Sequence, residues 1–311
     1  MRGIYFNGKE AIYREDLDMP VPTETQSLIR ILNAGICNTD KEILRGYRPD
    51  FKGVMGHEFT GIVESSDRPQ WIGKRVVGEL NAGCGFCSYC LSGEEKHCES
   101  RKVIGIDGKD GCFGEYMTLE THLLHEIPAA LPVEEALLTE PLAAALEIPR
   151  QIHLNPEARV LVIGDGRLGY LVSSVLHLHG VDLTILGKHP EKLAAFAAYG
   201  KTVLEPEGTY DVVVEATGSP SGLKTAMKAV RRKGKIVLKS TYAGETLVDM
   251  SYFAVHEITL LGSRCGPFEP ALRLLEKGLV KLPSVDFYDL QDYQEAFASK
   301  AFKVGFCIGR E

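Results

Sequence analysis

Residues 159–180 read RVLVIGDGRLGYLVSSVLHLHG: a short apolar run, a glycine-rich turn and a helix-period segment, in that order. The run Val160–Ile163 is short and β-branched enough for a strand buried on both faces, and RLGYLVSSVLHLHG carries the 3.6-residue period of a helix stopped by Gly180. Between them Gly164, Gly166 and Gly169 form GxGxxG. Alone that pattern is weak; between a strand and a helix it is the fingerprint of a dinucleotide-binding turn. The first glycine permits the tight turn, the second lets the backbone approach a pyrophosphate, and the third lets helix and strand pack closely. The helix N-terminus, opened by Arg167 and Leu168, then offers amides and partial positive charge to the phosphates. The alternative is a glycine turn with no ligand.

Downstream the alternation continues. DLTILG is a second strand. Pro190 suits a first helical position, EKLAAFAAYG a helix with Gly200 as its left-handed cap. YDVVVEAT follows, then a helix from Ser219-Pro220 to Gly234, the strand KIVLKS and the strand ITLLGS. Strands alternating with helices predict an α/β fold with a doubly wound parallel sheet over residues 146–267. An NAD site usually ends its second strand with an acid about 20 residues beyond the glycines. Here that strand ends at Gly187, followed by Lys188 and His189, and Asp182 lies at its other end. A missing acid removes repulsion toward a 2′-phosphate and Lys188 attracts one, which favours NADP over NAD; the alternative is a solvated lysine beside a less selectively held NAD. Asp165, inside the loop, is expected to turn from the phosphates or be offset by Arg167. Thr217 and Gly218 are expected to edge the nicotinamide ribose.

Before about Ala136 the pattern differs: SLIRILNAG, GIVES and KRVVGEL are broken by turn residues every eight to twelve positions, and no helix period is evident, which predicts an all-β region over 1–145. At the C-terminus, residues 268–311, DYQEAFASK reads as a short helix and KVGFCIG as a closing strand. Within the β region NAGCGFCSYCLSGEEKHC, about residues 81–100, places Cys84, Cys87, Cys90 and Cys98 together. Paired CxxC spacing aims thiolates at one tetrahedral centre, whereas a ferredoxin-type run would bring its fourth cysteine after three residues, followed by proline. Seven residues intervene and Glu99 follows, so zinc is favoured over an iron–sulfur cluster, and four thiolates make it structural.

The 311 residues allow two domains, with 44% hydrophobic and 25% charged residues, as in globular proteins. Thirty-five basic against 42 acidic residues give a net charge of −7, which argues against nucleic acid or an anionic membrane as partner. No long apolar run or signal-like N-terminus is evident, so a cytoplasmic location is expected, where clustered cysteines are metal ligands more often than disulfides.

GICNTD at Cys37, GHEFTGIV at His57, the four-cysteine lobe, TEPLAAALE at Glu140 and GDGRLG occur in an order and spacing that resemble the medium-chain zinc-dependent alcohol and polyol dehydrogenases over nearly the whole chain. The resemblance implies a chaperonin-10-like β domain joined to a central Rossmann domain, with the active site in the cleft between them and the C-terminal segment returning to the β domain. It implies Cys37, His57 and Glu140 as ligands of a catalytic zinc, with Glu58 as an outer or exchanging ligand. One thiolate, one imidazole and one carboxylate leave a position open for water or substrate. It further implies Thr39 as a proton relay and Asp40 as support for His57. TEPLA resembles the sorbitol and glucose dehydrogenase branch, implying a polyol, sugar or amino alcohol substrate and a dimer or tetramer. Asn38, Tyr47 and Arg264 are candidates to face substrate or coenzyme. At 311 residues some loops are expected to be trimmed. Three other readings stand: a zinc-stabilised NADP-binding sensor or structural protein without turnover, a zinc-independent reductase on the same scaffold, and an electron-transfer iron–sulfur protein.

Overall fold

The computed structural model describes residues 1–241, 245–282 and 284–310. It divides into two compact units, Met1–Glu140 with Phe268–Glu311, and Pro141–Pro267. The first division falls at Glu140/Pro141, five residues before the expected 145/146.

In the second unit Arg159–Ile163 has four buried residues after an exposed arginine, as a strand covered on both faces must. It lies at the centre of a six-stranded parallel sheet ordered Lys201–Val203, Asp182–Leu186, Arg159–Ile163, Tyr210–Glu215, Val230–Leu238 and Thr259–Gly262. In chain order that is 3-2-1-4-5-6, the doubly wound arrangement whose direction reverses beside the first strand and its glycine turn. Leu161, Val213, Ile236, Leu223 and Phe253 fill its core.

The glycines of the turn divide as their chemistry requires. Gly164 has φ +130° and a Cβ there would lie 2.7 Å from the Ala216 carbonyl oxygen. A Cβ on Gly169 would lie 2.0 Å from Gly164 O, so the helix Arg167–His177 packs on the turn with no room for a side chain. Gly166, the helix N-cap, would meet nothing within 4 Å.

Three local expectations are corrected. Gly200 is no left-handed cap; its φ is not positive, and a Cβ would lie 2.3 Å from Leu183 O, so close packing against the sheet explains it. The helix from Ser219-Pro220 ends at Ala229, because Val230 already enters the next strand; Gly234 lies inside that strand, beside Lys233 at φ +60°, where the register against Tyr210–Glu215 shifts. Helices also occur before Ala136, at Asn38–Leu44, Ser88–Leu91 and Val133–Ala136. Each is too short to show a helical period.

The first unit is built on a seven-stranded sheet ordered Leu124–Glu126, Arg75–Gly78, Glu58–Ser65, Gln26–Ile36, Val304–Cys307 and Asp286–Tyr288, with Tyr116–Glu120 also pairing to Gln26–Ile36. The closing strand Val304–Cys307 thus inserts beside the longest strand of the N-terminal region, antiparallel, with Phe306 buried edge-on to Phe113 at 5.0 Å. The helix Phe268–Glu276, which buries Phe268, Ala271, Leu272 and Leu275 at helical spacing, was not anticipated from the sequence. Among the described residues no helix is long and apolar enough to cross a membrane.

Gly169→Ala is expected to destabilise the protein by about 1–3 kcal/mol, the usual range for overpacking, while Gly166→Ala leaves the urea midpoint unchanged. Equal midpoints for the two variants would contradict the packing role of Gly169.

Candidate metal centre and nucleotide turn

Strand Gln26–Ile36 delivers Cys37 to the start of the helix Asn38–Leu44. The cysteine is the helix N-cap with extended φ −98° and ψ 161°, and its backbone N–H donates to Asp40 Oδ2 at 2.7 Å. This is the return half of a capping box, which fixes the first turn. The other Asp40 oxygen, Oδ1, stands 3.3 Å from His57 Nδ1 without a formed hydrogen bond. One fully buried carboxylate therefore reaches two candidate ligands, of which His57 is only 3% exposed.

Cys37, His57 and Glu58 bring ligand atoms within 4.8 Å of one another. Thr39 Oγ1 lies 3.8 Å from Cys37 Sγ. Glu140 begins the helix Thr139–Gln151 and is not part of that trio, so the structure brings together Cys37, Thr39, Asp40, His57 and Glu58 and leaves Glu140 outside the group. The donor set suits zinc: one sulfur, one imidazole nitrogen and one carboxylate, in a dry setting. The electrostatics agree. Burial opposes a charged His57, yet Asp40 and then Cys37 outweigh it and raise the proton affinity of the imidazole well above its ordinary value, as a site short of positive charge does.

Sequence reasoning missed Lys303. It precedes the closing strand, is fully buried, donates from Nζ to Ile36 O at 3.3 Å, and pairs with Glu58 Oε2. Gly35 makes room for the pair: a Cβ there would lie 2.6 Å from Glu58 Oε2 and 2.8 Å from Lys303 Nζ. A lysine between phenylalanine and valine in AFKVGF was the available signal, since a solvated lysine has no need of apolar neighbours.

The second group, Cys84, Cys87, Cys90 and Cys98, also gathers within 4.8 Å. Cys84 Sγ is 3.9 Å and Cys87 Sγ 3.5 Å from Cys90 Sγ. Backbone N–H groups of Phe86 and then Cys87 pull the Cys84 thiol down to about 6, and burial pushes Cys90 up to about 12. Among the described residues no disulfide joins any of the cysteines.

Two profiles match this chain: residues 23–129 that of the alcohol dehydrogenase GroES-like domain, and residues 168–277 that of the zinc-binding dehydrogenases. The chain belongs to the medium-chain zinc-dependent alcohol and polyol dehydrogenases. This dehydrogenase is 29% identical to a sorbitol dehydrogenase of Halalkalibacterium halodurans, over 93% of its own length and 92% of that protein's. It is 28% identical to a D-arabitol-phosphate dehydrogenase of Enterococcus avium, over 91% and 88%. An alcohol dehydrogenase of Thermus sp. ATN1 shares its fold with a TM-score of 0.88 at 23% identity, over 99% of this chain and 100% of that one. The dehydrogenase is thus a zinc-type oxidoreductase that uses a nicotinamide coenzyme.

In its nucleotide turn the candidate residues fall on the end of the sheet where the strands finish. Asp165 accepts from the backbone of Lys188 and His189, which follow Gly187. Thr217 donates its N–H to Glu215 Oε1 at 2.7 Å, and Gly218 N–H donates to Ser240 Oγ at 2.8 Å. Arg264 follows the last strand and is exposed.

Lys303→Met strands the Glu58 carboxylate in the interior, and the dehydrogenase is expected to lose about 3–5 kcal/mol of stability. Chemical denaturation should show Glu58→Gln combined with Lys303→Met recovering most of it. A double variant no more stable than Lys303→Met would refute the pairing.

Proposed function

We propose that the protein interconverts a hydroxyl and a carbonyl on a polyol, sugar or amino alcohol, with NADP preferred to NAD, at a zinc held by Cys37, His57 and Glu140, and that a second zinc sits in the four-cysteine lobe. The convergence of Cys37 and His57, with Glu58, on one point beside Asp40 carries the cysteine and histidine part of this reading; Glu140 as the third ligand rests on the resemblance of TEPLA to the motif of this family. Substrate class is supported by the polyol and sugar-acid names among the relatives, including an L-galactonate-5-dehydrogenase of Escherichia coli at 26% identity. Coenzyme choice is supported by the glycine at 187, where an acid would meet the ribose, and by the exposed Lys188 after it.

Bound zinc supplies Lewis acidity toward the substrate oxygen, and a bound nicotinamide supplies the hydride acceptor. The protein's residues do the rest. Asp40 sets the backbone of Cys37 and faces His57 Nδ1, which leaves Nε2 as the nitrogen for the metal. Lys303 holds the Glu58 carboxylate in place, so that Glu58 lies beside the ligands while its charge is balanced. Thr39 takes the proton that leaves the substrate hydroxyl and hands it on toward ribose or solvent. Gly166 gives the pyrophosphate backbone access, and the amides that open the helix Arg167–His177 meet its charge.

Two further features belong to the proposal. The strand Thr259–Gly262 closes the parallel sheet with an edge that no strand among the described residues pairs, and Leu260 is exposed, which supports a homo-oligomer, a dimer or a tetramer. Four cysteines gathered at metal-ligand spacing, and not spread in pairs, support a reducing, cytoplasmic setting.

A panel of polyols, sugars and alcohols assayed with NADP and with NAD is expected to give turnover favouring NADP. Metal analysis should find two zinc ions per chain in the wild type and one in Cys37→Ser. That variant should lose roughly a hundredfold or more in kcat/KM, beyond the ten- to hundredfold typical of losing an outer-shell partner. Undiminished turnover in Cys37→Ser overturns the mechanism, and turnover with NAD alone overturns the coenzyme preference. Gly166→Ala is expected to keep the wild-type unfolding midpoint and lose coenzyme affinity by calorimetry; unchanged affinity would remove the pyrophosphate from this turn.

A further inference from the structure

Asp165, the second residue of the glycine turn, has its carboxylate engaged outside that turn. Its side chain reaches across to the end of the neighbouring strand Asp182–Leu186. There a single oxygen, Oδ2, accepts the N–H of Lys188 at 2.7 Å and of His189 at 2.8 Å, and lies 2.9 Å from His189 Nδ1. Two consecutive backbone N–H groups converging on one point make a small anion seat. In sheets of this topology the residues just after the second strand read the adenosine ribose of a dinucleotide, where NAD and NADP differ. In this chain that seat is filled from within.

The surroundings are built for the intrusion. A Cβ on Gly187 would lie 2.7 Å from both Cβ and Oδ2 of Asp165, so a side chain at 187 and the carboxylate cannot coexist. The absent ribose-reading acid and the presence of Asp165 are therefore one feature: a carboxylate arrives at this end of the strand from the glycine turn instead of from the strand itself. Partial burial favours the neutral acid, yet the N–H groups of His189 and Lys188 prevail and hold the carboxyl below the usual carboxylate range, so the charge persists at neutral pH.

We propose that Asp165 is a specificity-determining residue for the adenosine end of the coenzyme: its carboxylate occupies the two-amide seat that an oxygen of a 2′-phosphate would otherwise take, and so restrains the preference for NADP that Lys188 creates. This rests on the dinucleotide reading of the turn. A 2′-hydroxyl, which carries no charge, is indifferent to the occupied seat or donates to the carboxylate. A 2′-phosphate must displace Asp165 or bind beside it against like charge.

The test measures binding of 2′,5′-ADP, which carries the distinguishing phosphate, and of 5′-ADP, which lacks it, by calorimetry on the full chain. Asp165→Asn removes the charge but keeps an oxygen for the two amides; Asp165→Ala empties the seat. Affinity for 2′,5′-ADP is expected to rise about tenfold in Asp165→Asn, the order of effect of one charge at close range in a partly screened site, and further in Asp165→Ala. Affinity for 5′-ADP should change less than about threefold. An unchanged or weakened 2′,5′-ADP affinity in both variants, with 5′-ADP binding intact, overturns the proposal and leaves the dinucleotide reading standing. Loss of both ligands in both variants assigns Asp165 to holding the loop alone and also overturns it. Failure of either nucleotide to bind the wild type or any variant removes the dinucleotide reading itself, and this proposal with it.

Discussion

Two buried carboxylates, Asp40 and Glu58, stand beside Cys37 and His57, and the fully buried Lys303 pairs with Glu58. Taking carboxylates out of water is tolerated only when each finds a counter-charge or several donors. Lys303 answers for Glu58, and the Cys37 N–H answers for one oxygen of Asp40. What remains is His57 facing a carboxylate and a sulfur, and the imidazole's raised proton affinity records the charge still owed there. The zinc proposed for this site would supply it. The scaffold follows from the same demand: the last strand must return to the first sheet to deliver Lys303, and Gly35 must stay bare so that the pair fits.

The nucleotide turn poses the reverse problem, an anion to be received instead of a cation. Donors there are backbone amides, which carry no net charge and can serve a ligand or the protein's own side chain equally well. Gly166 has open space beside it, while Gly164 and Gly169 are closed by the Ala216 carbonyl and by the turn itself. One residue along, Asp165 has claimed the amides of Lys188 and His189 for the protein. The same stretch thus contains one open approach and one pair of amides already taken.

Local features were legible in the sequence; distant ones were not. The Rossmann strands and the four-cysteine lobe declare themselves because their signals lie within a few residues of each other. The helix Asn38–Leu44 does not, because seven residues cannot display a period, although Asp40 three positions after Cys37 is the mark of its capping box. Gly200 and Gly234 were misread as helix stops because a glycine looks the same in sequence whether it supplies a positive φ or a close approach to a neighbouring carbonyl. The pairing of Glu58 with Lys303 joins residues 245 apart in the chain, and only the return of the closing strand brings them together.

The two cysteine groups depend on folding in different ways. Cys84, Cys87, Cys90 and Cys98 lie on one short loop, so their convergence needs only local turns and survives small changes elsewhere. Cys37 follows the end of one strand and His57 precedes the start of another, and what aligns them is register: Gly35 stands opposite Glu58 and Ala34 opposite Phe59 in the antiparallel pair. Because side chains alternate faces along a strand, a slip of one residue would send Glu58 to the other side of the sheet, away from Cys37 and Lys303 alike. That register is pinned from two directions, by the irregularity between Ile31 and Asn33 on one strand and by the closing strand, where Ile36 pairs with Val304. The chemistry of the mixed-ligand site is therefore a property of the whole sheet, whereas that of the sulfur lobe belongs to a single loop.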